Sequence, residues 1–169
     1  MKKTILRYGK YALLYAFLLF IIVLYFGQGL DFSTQEVLGY LTILTSLVFI
    51  FFAIKHFKEK ENGGIISYKK AFVIGVFISI FAGIGFTTAD TIYVTFINPD
   101  FAQQYFDYSL EKMKEELPTA TYEMEKIKLE QQVEQYKNPL FNAAVMFLTV
   151  FLIGFMVTLI SALVLQRKN

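Results

Sequence analysis

The chain has no cysteine and no tryptophan, and it has one histidine and three prolines among 169 residues. Without cysteine there can be no disulfide, no thiolate metal site and no cysteine nucleophile. The lone histidine, His56, sits beside Lys55 and Lys58, with Glu59 and Glu61 as the nearest carboxylates in sequence. One imidazole does not build a metal site, so His56 reads as an interfacial, non-catalytic side chain. Charge is also scarce. Charged residues make up 18% of the chain, against about 25% in soluble domains. The formal net charge of +2 is too small to point to nucleic acid. No His-Glu-x-x-His metal motif, phosphate-binding glycine loop or nucleophilic serine motif occurs. Neither an enzyme nor a bound cofactor is expected.

What the chain has in excess is apolar sequence, 56% of residues, including 19 Phe and 11 Tyr. The charges are confined to clusters separated by long runs almost free of them. A water-soluble helix needs a polar outer face, and these runs lack one. Four of them read as transmembrane helices, at about 8–30, 37–54, 71–97 and 139–165, each near the roughly 20 residues a bilayer requires. The apolar core of the first, Tyr11 to Phe26, follows Lys2, Lys3, Arg7 and Lys10, as that of a secretory signal would. Its length and the lack of an Ala-x-Ala cleavage site favour a retained helix. Gly63 and Gly64 break the chain after the second run, and Ser67 is placed to cap the third. Asn98-Pro99 and Asn138-Pro139 mark helix boundaries, since proline disfavours helix at the residue before it and suits the first position of a new one. The fold class expected is an all-α membrane protein of one domain, residues 1–169, with a helical insertion at 98–138.

That insertion differs in kind. Residues 100–137 carry nine acids against five bases, so the segment belongs outside the membrane. Its acids do not match the spacing of an EF-hand loop. Phe101, Tyr105, Tyr108, Met113 and Leu117 recur at helical spacing, and Tyr122, Leu129, Val133 and Tyr136 form a second series after Pro118. Two amphipathic helices, or one kinked helix, account for the pattern. The stripe of Phe101, Tyr105 and Tyr108, with Tyr136, is a candidate face for a partner.

Orientation follows from lysine and arginine in the loops. With four crossings, one side holds eleven such residues: Lys2, Lys3, Arg7, Lys10, Lys55, Lys58, Lys60, Lys69, Lys70, Arg167 and Lys168. The other side holds five, all within the acidic segment. Both termini are therefore expected in the cytoplasm, with the insertion on the outer side of the membrane. The partners expected are the lipid bilayer, together with a second copy or another membrane or periplasmic protein.

Two sets of residues within the runs stand out. Asp90 is the one ionisable residue inside an apolar run, with Thr87, Thr88, Thr91 and Tyr93 nearby. Intramembrane carboxylates often belong to ion or proton pathways. The plainer reading places Asp90 at the outer interface of a helix too long for the bilayer, bonded to a hydroxyl. Gly75, Ser79 and Gly83 recur every fourth residue, which puts small side chains on one ridge where a second helix approaches closely. Gly154, Thr158 and Ala162, and Ala12 with Ala16, repeat the pattern in the fourth and first runs. Intrachain packing is the ordinary use of such a ridge, and a dimer seam is the other. Gly85 lies about 200° round the helix from Gly83. A bulky residue at Gly85 is therefore expected to be milder than one at Gly83.

The stretch from Phe57 to Gly75 contains Gly63-Gly64-Ile65-Ile66-Ser67-Tyr68, and Asn98-Pro99-Asp100-Phe101 follows the third run. With four crossings and a charged insertion before the last helix, these features resemble the membrane family called domain of unknown function 4199. The resemblance covers nearly the whole chain and implies a bacterial inner-membrane protein. It implies no activity and no catalytic residues. The function expected is a non-enzymatic membrane protein that meets a partner through its outer segment. The alternative is a small transport or channel component using Asp90 and the Thr87–Thr91 neighbourhood.

Overall fold

A computed structural model describes residues 1–167. They form six α-helices: α1 (Lys2–Phe26), α2 (Phe32–His56), α3 (Tyr68–Ile92), α4 (Phe101–Glu116), α5 (Thr119–Tyr136) and α6 (Pro139–Leu165). No strand occurs among the described residues. Lys168, counted above with the inner-side bases, lies outside them. α2 and α3 each run on into a wider π-helical turn, Phe57–Glu61 and Tyr93–Ile97. With those turns, α1, α2, α3 and α6 are all long and apolar enough to cross a membrane. Even the shortest, at 25 residues, is about 38 Å long and exceeds the roughly 30 Å hydrocarbon core.

Local chemistry sets the ends of these helices. α1 begins in the basic cluster rather than after it, because lysine and arginine form helix well and carry their charge to the interface on long stems. α2 begins at Phe32, ahead of the apolar run, because Asp31 caps it. Its Oδ2 accepts from the Thr34 N–H at 2.8 Å and its Oδ1 from the Thr34 hydroxyl at 2.7 Å. The Thr34 hydroxyl, and then its N–H, hold the Asp31 carboxyl below its ordinary value of 3.8. Ser67 caps α3, and Asn138 caps α6 with Pro139 in the first turn. Pro99 does not open a helix. α4 starts at Phe101, with Asp100 at the cap position. Pro118 separates α4 from α5. Gly63 and Gly64 have φ of +62° and +82°, a left-handed backbone that glycine adopts without steric cost.

α3 is the central helix. It packs along α6 on one side and α1 on the other, while α2 closes the bundle against α1 and α6. Small residues make the close approaches. A Cβ at Gly75 would lie 2.5 Å from Thr158 Cγ2, and one at Gly154 would lie 2.6 Å from Ser79 Oγ. The ridge of Gly75 and Ser79 is thus an intrachain seam with Gly154 and Thr158. Ser79 and Thr158 are fully buried there, with their hydroxyl oxygens 3.4 Å apart. Gly83, next on the ridge, faces the ring of Phe147 on α6. The opposite side of α3 is just as close-packed, contrary to the expectation for Gly85. A Cβ there would press on the Leu13 carbonyl oxygen of α1 and lie 3.1 Å from the Ala16 Cβ. Ala12 and Ala16 are fully buried in that second seam, and Phe20 meets Phe86 edge-on with centroids 5.0 Å apart.

The outward faces are apolar. Leu14, Leu18 and Ile22 of α1, Leu41, Leu44 and Val48 of α2, and Leu152, Met156 and Ile160 of α6 are all exposed. Continuous apolar faces of this extent are costly in water and suit a hydrocarbon solvent. At one end of the bundle, Arg167 donates its N–H to the Ile66 carbonyl at 2.9 Å, and the Ile66 N–H returns the bond at 3.2 Å. The Thr4 hydroxyl donates to Glu61 at 2.6 Å at the same end. The start of α1, the α2–α3 link and the end of α6 therefore lie together, and the α4–α5 hairpin lies at the opposite end.

Candidate functional site

The hairpin does not stand clear of the bundle. Phe32, the first residue of α2, has its ring centroid 5.9 Å from Phe101, 5.8 Å from Tyr105 and 5.1 Å from Tyr108. Phe101 also meets Tyr93, which is buried, at 5.7 Å. From α5, Val133 is buried and Tyr136 packs edge-on against Phe141 of α6 at 5.5 Å. Of the stripe assigned above to a partner, Phe101 and Tyr108 are half-buried against their own chain, whereas Tyr105 and Tyr136 stay 40% and 39% exposed; together they roof the mouth of the four-helix bundle.

Under that roof lies a half-open chamber of about 780 Å³. Phe20 and Leu24 of α1 and Met146 of α6 line it from the bundle; Phe101, Tyr105, Leu129, Val133 and Tyr136 line it from the hairpin. Its polar lining comes from Gln35, Glu36, Asp90, Gln132, Lys137 and Asn142, with Thr95 from the π-helical turn. A separate, more open depression of about 490 Å³ lies outside the α5–α6 junction, between Gln131 and Phe141, and Asp90 does not line it.

Asp90 is positioned by α3 and half-buried. Its partner is not a hydroxyl. The Asn142 side-chain amide of α6 donates to Asp90 Oδ2 at 2.7 Å. No other hydrogen bond or ion pair to the Asp90 side chain occurs among the described residues. The expected polar cluster around Asp90 does not form. Asp90 and Val94 are one turn apart and face the chamber together, whereas Thr91 is about 100° round the helix from Asp90. Thr87 and Thr91 do not line the chamber. The Thr87 hydroxyl is buried without a hydrogen-bond partner among the described residues. Thr88 donates back to the Ile84 carbonyl at 2.8 Å. Tyr93 turns toward the hairpin, where its hydroxyl accepts from Asn98 at 3.4 Å.

Asn142 carried no signal in the sequence. It lies 52 residues from Asp90 and just after Asn138-Pro139, where a polar residue reads as part of a helix start. Glu36 likewise read as a loop residue before α2 and lies instead within its first turns. His56 sits at the other end of the bundle, its ring centroid 5.5 Å from Tyr8 and its Nε2 3.9 Å from Glu61. Among the described residues, no group of three or more His, Cys, Asp or Glu side chains is placed to hold a metal ion.

Four apolar helices around a buried small-residue seam, with a roofed chamber at one end, define an all-helical membrane protein. Over residues 7–167 the chain matches the family model described as "Protein of unknown function (DUF4199)". It belongs to that family. No curated protein matches the chain, and no solved structure does.

Proposed function

We propose that the chain is a non-enzymatic, multi-pass protein of the bacterial cytoplasmic membrane, and that its chamber receives a small molecule from outside the cell. In this reading both termini are cytoplasmic, the α4–α5 hairpin is outside, and the protein works as a solute-binding or transport component. The observation that carries it is the chamber, whose polar groups converge beneath a lid of aromatic side chains. Its volume falls in the roughly 300–1,000 Å³ range of small-molecule sites, and concave apolar walls with a few placed polar groups are the usual form of such sites. The excess of bases at the end bearing the chain termini supports the orientation.

Docking to another protein is the second reading, favoured by one observation. Met124 and Ile127, one turn apart on α5, are 60% and 56% exposed on the hairpin. The rings of Phe101, Tyr105 and Tyr108 support it less, because Phe32 already engages them.

The natural absence of cysteine makes the test direct. Single-cysteine variants Gln132→Cys and Met146→Cys are expected to react with a membrane-impermeant maleimide added to intact cells. Ser79→Cys, in the α3–α6 seam, should stay unreacted, and Asn62→Cys should react only after the membrane is permeabilised. Failure of Met146→Cys to react from outside, or reaction of Asn62→Cys in intact cells, would overturn the proposal. A photo-crosslinker at Met124 that captures a second protein in place of any chamber labelling would favour docking.

A further inference from the structure

The lining of the chamber is unbalanced in charge, and we infer that its ligand is an organic ammonium ion, either free or as the headgroup of a lipid. This rests on the reading of the chamber as accessible from outside. Two carboxylates face the space, Asp90 and Glu36. Neither forms an ion pair among the described residues. Lys137 is the one base in the lining, and its Nζ is held 2.7 Å from Glu134. An anion entering the chamber meets two carboxyl groups without an ion-pair partner among the described residues, whereas a cation gains from both.

The walls decide what kind of cation fits. A bare metal ion needs several oxygen ligands converging at about 2.0–2.6 Å, and no group of three acids or histidines is close enough together here. A chamber of about 780 Å³ is also far larger than such an ion. Phe32, Phe101, Tyr105 and Tyr136 instead border the space with aromatic rings. Ring faces attract cations through their quadrupole, and most strongly when the cation is weakly hydrated, as a quaternary ammonium is. Asn142 donates to one oxygen of Asp90, which fixes the carboxylate while leaving its second oxygen without a protein partner among the described residues. The combination is a fixed carboxylate, a second acid and an aromatic enclosure. It selects a bulky organic cation over a metal ion, an anion or a neutral solute. A cationic headgroup reaches the same chemistry if the chamber opens to the outer leaflet.

The test uses the full-length Met146→Cys protein in nanodiscs made of phosphatidylglycerol alone, with N-ethylmaleimide labelling as readout. Choline and its neutral carbon isostere, 3,3-dimethyl-1-butanol, differ in charge at nearly constant shape. Choline is expected to slow labelling by about tenfold near saturation, corresponding to roughly 1.4 kcal/mol, and the isostere to leave the rate unchanged. Adding Glu36→Gln, at an exposed position, should weaken the protection, and adding Asp90→Asn should remove it. Phosphatidylethanolamine in the discs that protects without choline would assign the ammonium to a lipid; protection by choline alone would assign it to a free solute. Equal effects of choline and the isostere, or no protection by choline or by phosphatidylethanolamine, would overturn the ammonium inference while the labelling itself upheld the chamber. Absence of labelling in the free protein would overturn both.

Discussion

Gly85→Leu is expected to remove most of the folded protein, and Gly83→Leu to remove much less. At Gly85 the obstacle is backbone. An added Cβ meets the Leu13 carbonyl oxygen and the Ala16 methyl of α1, and neither can rotate away. α1 and α3 would have to separate along the seam that buries Ala12, Ala16 and the Phe20–Phe86 pair. Overpacking usually costs about 1–3 kcal/mol, and a clash with backbone on a fully closed seam belongs at or above the upper end. That is a large share of a total stability of roughly 5–15 kcal/mol. At Gly83 the obstacle is the Phe147 ring, 2.9 Å from an added Cβ, and a side chain on the edge of α6 can turn aside. Yield of monodisperse protein and thermal midpoint in detergent measure the difference. Gly85→Ala serves as the gentler variant and should already lower the midpoint. Equal loss at the two positions, or greater loss at Gly83, would mean that α1 does not approach α3 as closely as described.

The next largest effect is expected at Asn142. Asn142→Leu removes the sole hydrogen-bond donor to Asp90 among the described residues and leaves a half-buried carboxylate without a protein partner. Stranding one member of a buried polar pair costs about 1–3 kcal/mol, whereas replacing both by apolar groups is often nearly neutral. The double variant Asp90→Leu with Asn142→Leu should therefore recover most of the stability lost by Asn142→Leu alone. The coupling energy from the four-member cycle is expected to be about 1 kcal/mol or more. Additive losses would indicate that water, rather than Asn142, satisfies Asp90.

These two sites also mark what was legible in the sequence. The four apolar helices were, because apolar runs free of charge are a property of contiguous residues, and α6 follows its expected bounds of 139–165. The ridge of Gly75 and Ser79 was legible as a packing face, since every fourth residue returns to the same side of a helix. Gly85 was misplaced by the same periodicity. A central helix has two packed faces, and which helix is central depends on contacts between residues distant in sequence. The two helices of the hairpin and their break at Pro118 were legible from periodicity and proline chemistry. Their roofing role was not, because it hangs on Phe32, which stands outside the expected second span and reads as a loop aromatic. Asp90 was legible as the one carboxylate in an apolar run. Its partner Asn142 was not; helical rotation carries Thr91 about 100° from Asp90, and Thr87, though on the same side as Asp90 and Val94, lies a turn deeper and does not line the chamber.

The central claim is that the hairpin roofs a chamber of its own chain rather than presenting its aromatic stripe to another molecule. The pair Phe32→Cys and Tyr108→Cys, whose native ring centroids are 5.1 Å apart, tests it in the otherwise cysteine-free protein. A short bifunctional thiol reagent applied to intact cells should join the two positions within one chain, giving a cross-linked species at monomer mass. A band at dimer mass, or at the mass of the chain plus another protein, with no intramolecular product, would contradict the account.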